Sequence, residues 1–213
     1  TGLLDKVSRV EAVEIETPEA QKVSGRYKDI PKVKVINQDF FDFYKETLGK
    51  KTYDLILGNP PYIRYQYLKE SQRECQAQIL TSHGMKSNKL INAWVAFMVA
   101  SVQMLSKRGK IAFVIPAEIL QVAYAEDLRL YLANHLAKIT LITFEQLVFP
   151  DIEQEVVVFI GEKGEAEKGI RIIEMNDLSG FDALDLDSNG FQPVQHVKEK
   201  WTKYFINGDE MKL

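Results

Sequence analysis

The chain reads as an α/β protein: a doubly wound, mostly parallel sheet with an antiparallel hairpin strand. Three observations predict this. Short alternating or apolar segments alternate with helical patterns along most of the chain, as in β-α-β units. The first such segment runs straight into a helix start, Thr17-Pro18-Glu19, with proline in the first turn and an acid behind it. The apolar segment Tyr53–Leu57 stops at Gly58 and gives way to Asn59-Pro60-Pro61-Tyr62, a stiff polar loop. In open α/β sheets, ligands bind beyond the carboxyl ends of the strands, where this loop would lie.

Composition sets bounds on these elements. The 213 residues suffice for one α/β domain with a full core. At 46% hydrophobic and 27% charged the chain is an ordinary globular one. No apolar run approaches the length of a membrane span and no signal-peptide pattern is present. A single cysteine, Cys75, excludes a disulfide framework and a cysteine-based metal cluster, so no metal site is expected and a cytoplasmic location is. The net charge of −3 argues against a self-sufficient DNA-binding unit, which would be basic, though not against the catalytic half of one.

Taken in order, Arg9–Glu16 alternates as a strand ending in acids. An acid at that edge is the expected partner of a ribose diol in a nucleotide-binding unit, which favours Glu14; Glu16 fits the outer face or the helix cap. Val33–Ile36 is a second strand, followed by Asn37-Gln38-Asp39-Phe40-Phe41-Asp42-Phe43. Asp39 is placed to accept from an adenosine amino group, with Phe40 on the ring face. Phe41 and Phe43 either join it or anchor the loop to the core, and Asp42 is a candidate cap. After the Asn59 loop, Ile63 to about Ser82 mixes Arg64, Tyr65, Tyr67, Lys69 and Arg73. Two readings stand: contact with a DNA backbone, or a loop and an ordinary amphipathic helix. His83 lacks metal-ligand companions and reads as solvent-facing.

Leu90–Leu105 is the strongest helix, opened by Asn92 and closed by Ser106-Lys107-Arg108-Gly109 as a basic, glycine-capped end. Lys110–Ile115 is a buried strand ended by Pro116. Helices are expected near 117–122 and 126–137, with His135 as a C-terminal base. Strands 138–144 and 156–160 read as a hairpin at the sheet's edge. Phe149, held extended before Pro150 between them, is either the second wall of an aromatic pocket or a staple of the hairpin. Ile170–Glu174 is a last strand. From Asp177 the composition shifts to Asp, Ser, Asn and Gly, so residues 1–176 read as one domain and 177–213 as a linker and the start of another.

The Asn59 loop carries a specific chemistry. The Asn59 side-chain oxygen and the Pro60 carbonyl are two acceptors set at an angle, able to hold both hydrogens of one amino group. An aromatic amine is a poor nucleophile because its lone pair is delocalised. Gripping both hydrogens favours a pyramidal nitrogen, and fixed acceptor dipoles stabilise the positive charge that develops on attack. Tyr62 is placed to stack on the ring that bears the amine.

With these segments placed, the chain resembles the catalytic core of the amino-group DNA methyltransferases. It is most similar to the adenine-specific enzymes of bacterial restriction–modification systems. Asn59-Pro60-Pro61-Tyr62 resembles their catalytic motif, Val13-Glu14-Ile15-Glu16 their ribose motif, and Asp39-Phe40 their adenine-contacting motif. Asn92, Gly109–Pro116 and Val148-Phe149-Pro150 with Gln154 match further segments in order. The resemblance implies a Rossmann-like fold with S-adenosylmethionine as cofactor, and transfer of its methyl group to a flipped-out adenine. It implies Asn59, Pro60 and Tyr62 as catalytic residues and Tyr62 and Phe149 as stacking walls. Glu14, Ile15, Asp39 and Phe40 then bind cofactor. The implied partners are double-stranded DNA, met through a recognition domain largely absent here, and an endonuclease as a separate subunit or a fused domain. Only Thr1-Gly2 matches the glycine-rich cofactor loop, so by resemblance the chain is a fragment, inactive alone. The rival readings are a protein glutamine-amide methyltransferase, which grips a similar flat NH₂, and a non-catalytic DNA-binding subunit of the same fold.

Overall fold

The computed structural model describes residues 2–146, 155–186, 190–194 and 200–205. The chain divides into two compact units, Thr1–Lys51 and Thr52–Leu213.

In the first unit, β1 (Val10–Glu14) pairs in parallel with β2 (Val33–Asn37), from Val10 opposite Val33 to Glu14 opposite Asn37. α1 (Thr17–Arg26) connects them and α2 (Phe40–Thr47) follows. Pro18 falls in the first turn of α1, where its missing N–H costs nothing, and Glu16 takes the cap position. Asp39, not Asp42, caps α2, its carboxylate accepting from Phe41 N at 2.8 Å. Asp42 is exposed and pairs with Lys45 across one helical turn. Phe41 and Phe43 are buried.

The second unit is built on a six-stranded sheet in the order β3-β4-β6-β5-β7-β8. These are β3 (Tyr53–Gly58), β4 (Leu105–Pro116), β5 (Lys138–Phe144), β6 (Val156–Glu162), β7 (Gly169–Met175) and β8 (Gln192–Pro193). β3 and β5 pair in parallel with β4 and β7 respectively. β6 runs against both β4 and β5, and β8 against β7. Four strands therefore share one direction, the mostly parallel α/β sheet that the sequence predicts. The hairpin differs in place. β6 is not at an edge; it enters between β4 and β5 and so joins the two parallel pairs. Its run Val156-Val157-Val158-Phe159-Ile160 fits an interior strand, since Val157 and Phe159 are almost fully buried.

Behind the sheet, α4 (Ala93–Met104) is apolar nearly all round, with Trp94, Met98 and Val99 inaccessible. A helix of that composition belongs at the centre of a core. α3 (Glu70–Thr81) and α5 (Glu126–His135) pack on it. The strand begins directly at Leu105, so Ser106–Gly109 is not a helix end. It forms an irregularity in which Tyr53 and Leu55 of β3 face Leu105 and Lys110 of β4. A Cβ on Gly109 would lie 2.8 Å from the Tyr53 carbonyl oxygen, so the excursion needs glycine. Basic residues before a glycine are equally a helix stop and a bulge, and the tight pairing to β3 decides between them. Trp201 is fully buried and the cations of Lys138 and Arg171 each sit 4.5 Å from the centre of the Phe191 ring. Among the described residues no helix is long and apolar enough to cross a membrane.

Candidate active site

The Asn59 loop leaves the sheet at the carboxyl end of β3. Gly58 lets the backbone pass over the Phe113 ring, which a Cβ would approach to 3.1 Å. Pro60 is buried, Pro61 and Tyr62 are half-buried, and Asn59 is exposed. The loop is braced from two neighbours. Tyr62 donates its hydroxyl to the Val114 carbonyl of β4 at 3.0 Å. Ala93 N, at the start of α4, donates to the Ile63 carbonyl at 2.9 Å. Burial pushes the Tyr62 phenol up to about 12, so that bond persists across the physiological range. Among the described residues, no side chain is hydrogen-bonded to Asn59. Its amide is thus presented outward from a backbone that is fixed beneath it.

Asn92 occupies the cap position of α4 without capping it, and its Oδ1 is buried without a bonding partner. Behind it stands a pair that sequence reasoning missed: Tyr124 donates its hydroxyl to Glu118. Burial, then the bonded and negatively charged Glu118 carboxylate, raise the Tyr124 phenol well above its ordinary range. Trp94 and Asn92 act weakly the other way. Trp94 Nε1 is buried without a hydrogen-bond partner. Glu118 lies two residues past Pro116, the end of β4, so this polar cluster is anchored at the same sheet edge as the loop. The only sequence signal for it was an acid shortly after a strand-ending proline.

In the first unit, Glu14 is half-buried at the end of β1 and accepts from Glu16 N through Oε1 at 2.8 Å. Ile15 beside it is 46% exposed. Asn37, unremarked in the sequence, ties this corner together. Its Nδ2 donates to the Glu14 and Ile15 carbonyls at 2.9 and 3.0 Å, and its Oδ1 accepts from Thr17 at 2.9 Å. Asp39 commits Oδ1 to the α2 cap, and Phe40 stays half-buried, 6.0 Å from Phe41 edge to face. An acid presenting a second oxygen next to an exposed isoleucine fits a ribose diol beside an apolar ring.

Phe149 lies outside the described residues. The residues that flank its segment, Gln146 and Glu155, are described. Phe144 ends β5, which runs in the direction of β3, and Glu155 accepts from Ala117 N just past β4. His83 is not simply solvent-facing: it meets Tyr131 edge-on at 5.0 Å, while His135 stacks on Tyr131 at 4.0 Å.

The model of the Eco57I restriction-modification methylase family matches residues 8–149. Type II methyltransferase M.HincII of Haemophilus influenzae is 32% identical over 157 residues, covering 73% of this chain and 30% of that protein. Type II methyltransferase M.AccI of Acinetobacter calcoaceticus is 28% identical over 221 residues, covering 98% of this chain and 40% of its own length. The chain therefore spans between 30% and 40% of these relatives. Among solved structures, the type IIG restriction endonuclease BpuSI shares the fold with a TM-score of 0.66 at 19% identity, over 91% of this chain and 26% of that one. A Listeria monocytogenes protein described as a class I S-adenosylmethionine-dependent methyltransferase gives 0.62 at 13% identity, over 80% of this chain and 50% of that one. The family match takes in β1 to β5 and the whole Asn59 loop, and on that ground the chain belongs to the Eco57I restriction-modification methylases.

Proposed function

We propose that the protein carrying this chain methylates the exocyclic amine of adenine in DNA, with S-adenosylmethionine as methyl donor. The observation that carries the reading is the Asn59 loop: an exposed amide on a backbone held by a buried proline, by Tyr62 on Val114 and by Ile63 on Ala93. When bound, the cofactor supplies an electrophilic methyl group. Asn59 Oδ1 and the Pro60 carbonyl accept the two hydrogens of the amine and turn its lone pair outward. As the nitrogen would form its new bond to carbon, the carbon–sulfur bond would break with its electron pair left on sulfur; the positive charge gained by the nitrogen is what both acceptor dipoles stabilise, until one proton is shed to solvent. Tyr62 offers a ring face fixed by its hydroxyl bond, and Phe149 is its partner on the other face of the base. Glu14 takes the ribose diol and Ile15 the adenine face, with Asp39 and Phe40 completing the cofactor's side. The base must leave the duplex first, because its amine is otherwise paired and stacked. A trailing recognition domain and an endonuclease partner, separate or fused, belong to the same proposal.

The test is incorporation of labelled methyl groups by the complete protein into DNA, a glutamine peptide and RNA, side by side. Label in DNA, recovered as N6-methyladenine, is the expected result. Label confined to the peptide would overturn the DNA reading while leaving the amine-gripping role of Asn59 intact.

A further inference from the structure

The segment between α3 and α4 carries a feature that the chemistry above does not use. Leu90 is 76% exposed and Tyr67 is 73% exposed, more than any other large apolar side chain among the described residues. Leu90 is not exposed by looseness. Met85 and Ile91, on either side, are buried. Asp127 accepts from Lys86 N at 3.0 Å, and the buried Gln76 donates to the Ile91 carbonyl at 3.2 Å. Within the tip, Asn88 turns the chain: its Oδ1 accepts from Leu90 N at 2.9 Å and its carbonyl from Ile91 N at 3.3 Å. Two residues further, Asn92 and Ala93 lead into the bond that braces Ile63. The tip is thus a built projection on the strut that supports the Asn59 loop.

Its charge identifies the partner. Lys86 and Lys89 precede the leucine by four residues and by one, and both are exposed. No Asp or Glu occurs from Cys75 to Asn92, nor from Leu55 to Lys69, which holds Arg64, although the chain as a whole is negative. An apolar side chain on a held backbone, next to exposed cations, suits a surface with phosphates outside and flat apolar rings within. A base drawn out of a duplex leaves such a gap, and apolar wedges are used to enter stacked base steps.

Building on the function proposed above, we propose that the Lys86–Leu90 tip engages duplex DNA, with Lys86 and Lys89 on phosphates and Leu90 entering the space that the extruded adenine vacates. Two measurements on the complete protein test it. The first is cofactor-free binding to a short random-sequence duplex as a function of salt. In K86Q/K89Q, the slope of log affinity against log salt concentration should fall by about 2, one for each phosphate that is no longer neutralised. The second is steady-state methylation of DNA. L90S should lower kcat about tenfold with the DNA KM within about twofold, because the leucine acts only once the base is out. All three side chains are exposed, so unchanged circular dichroism is expected and checks folding. If the unmodified protein methylates DNA while the variants keep its salt slope and its kcat, the inference is overturned and the function stands. If the unmodified protein neither binds nor methylates DNA, both fall. A change of oligomeric state in L90S with unaltered DNA behaviour would assign the leucine to a protein interface and overturn the inference as well.

Discussion

The carboxyl ends of β1 and β3 solve opposite problems. At the end of β1, polar groups satisfy one another. Glu14 holds Glu16 N, Asn37 holds two carbonyls, and Thr17 closes the circle on Asn37. At the end of β3, the backbone is held by its neighbours while Asn59 stays outward and exposed. The first corner is a shape fixed by its own bonds, with one Glu14 oxygen held by Glu16 N and the Ile15 side chain exposed. The second is a mount, whose stiffness comes from elsewhere, so that its exposed amide remains uncommitted. A group that must act in a transition state gains from being placed without being occupied, since occupied acceptors have little left to offer.

The contrast can be broken, and the largest effect is expected at the mount. Asn59→Ala should lower methyl transfer by at least about 10²-fold, the scale of losing one oriented dipole. Cofactor affinity, read by equilibrium binding, should stay within about twofold; near-normal turnover would refute the assignment. Next comes the footing of β3. Gly109→Ala places a Cβ against the Tyr53 carbonyl oxygen and should cost about 1–3 kcal/mol in urea denaturation. Gly25→Ala serves as its control. Nothing lies within 4 Å of that position in α1, so alanine should stabilise there by about 0.5–1 kcal/mol. Equal responses at the two glycines would remove the argument for close strand approach.

At the self-contained corner, Asn37→Ala deletes the two bonds to the Glu14 and Ile15 carbonyls. Cofactor affinity should weaken about tenfold, with turnover at saturating cofactor unchanged. A fall in kcat alone would instead couple this corner to the chemistry. The smallest effect concerns Tyr62. Its folded value of about 12 exceeds the ordinary 10.0, so between those limits the folded chain keeps a proton that the unfolded chain has lost. Stability should therefore decline as pH rises from 10 towards 12. Tyr62→Phe should remove a late-ionising phenol from the ultraviolet titration, leaving the others in place.

Much of this arrangement was legible in the sequence because it is local. Apolar runs ending at Gly58 and Pro116 marked strands, and Thr17-Pro18-Glu19 marked a helix start. Asn59-Pro60-Pro61-Tyr62 marked a stiff loop at a strand end. What escaped depends on pairing across long separations. The apolar run of Val156–Glu162 is compatible with an interior strand, but nothing in it names β4 and β5 as the strands it enters between. Ser106–Gly109 has the letters of a helix cap, and only its contact with Tyr53 makes it a bulge. Asn37 looked like any polar residue after a strand, because its worth lies in the Glu14 and Ile15 carbonyls, over twenty residues away in sequence. Glu118 and Tyr124 were passed over for the same reason: a buried phenol–carboxylate pair is invisible until the chain is folded.

The position of β6 bears on how the chain can be made and cut. β4 and β5 are both complete before β6 leaves the ribosome, and until then each carries an unsatisfied flank of backbone. An expression boundary drawn between β5 and Val156 would leave out the middle of the sheet rather than trim its margin. The product should then precipitate, not merely lose activity.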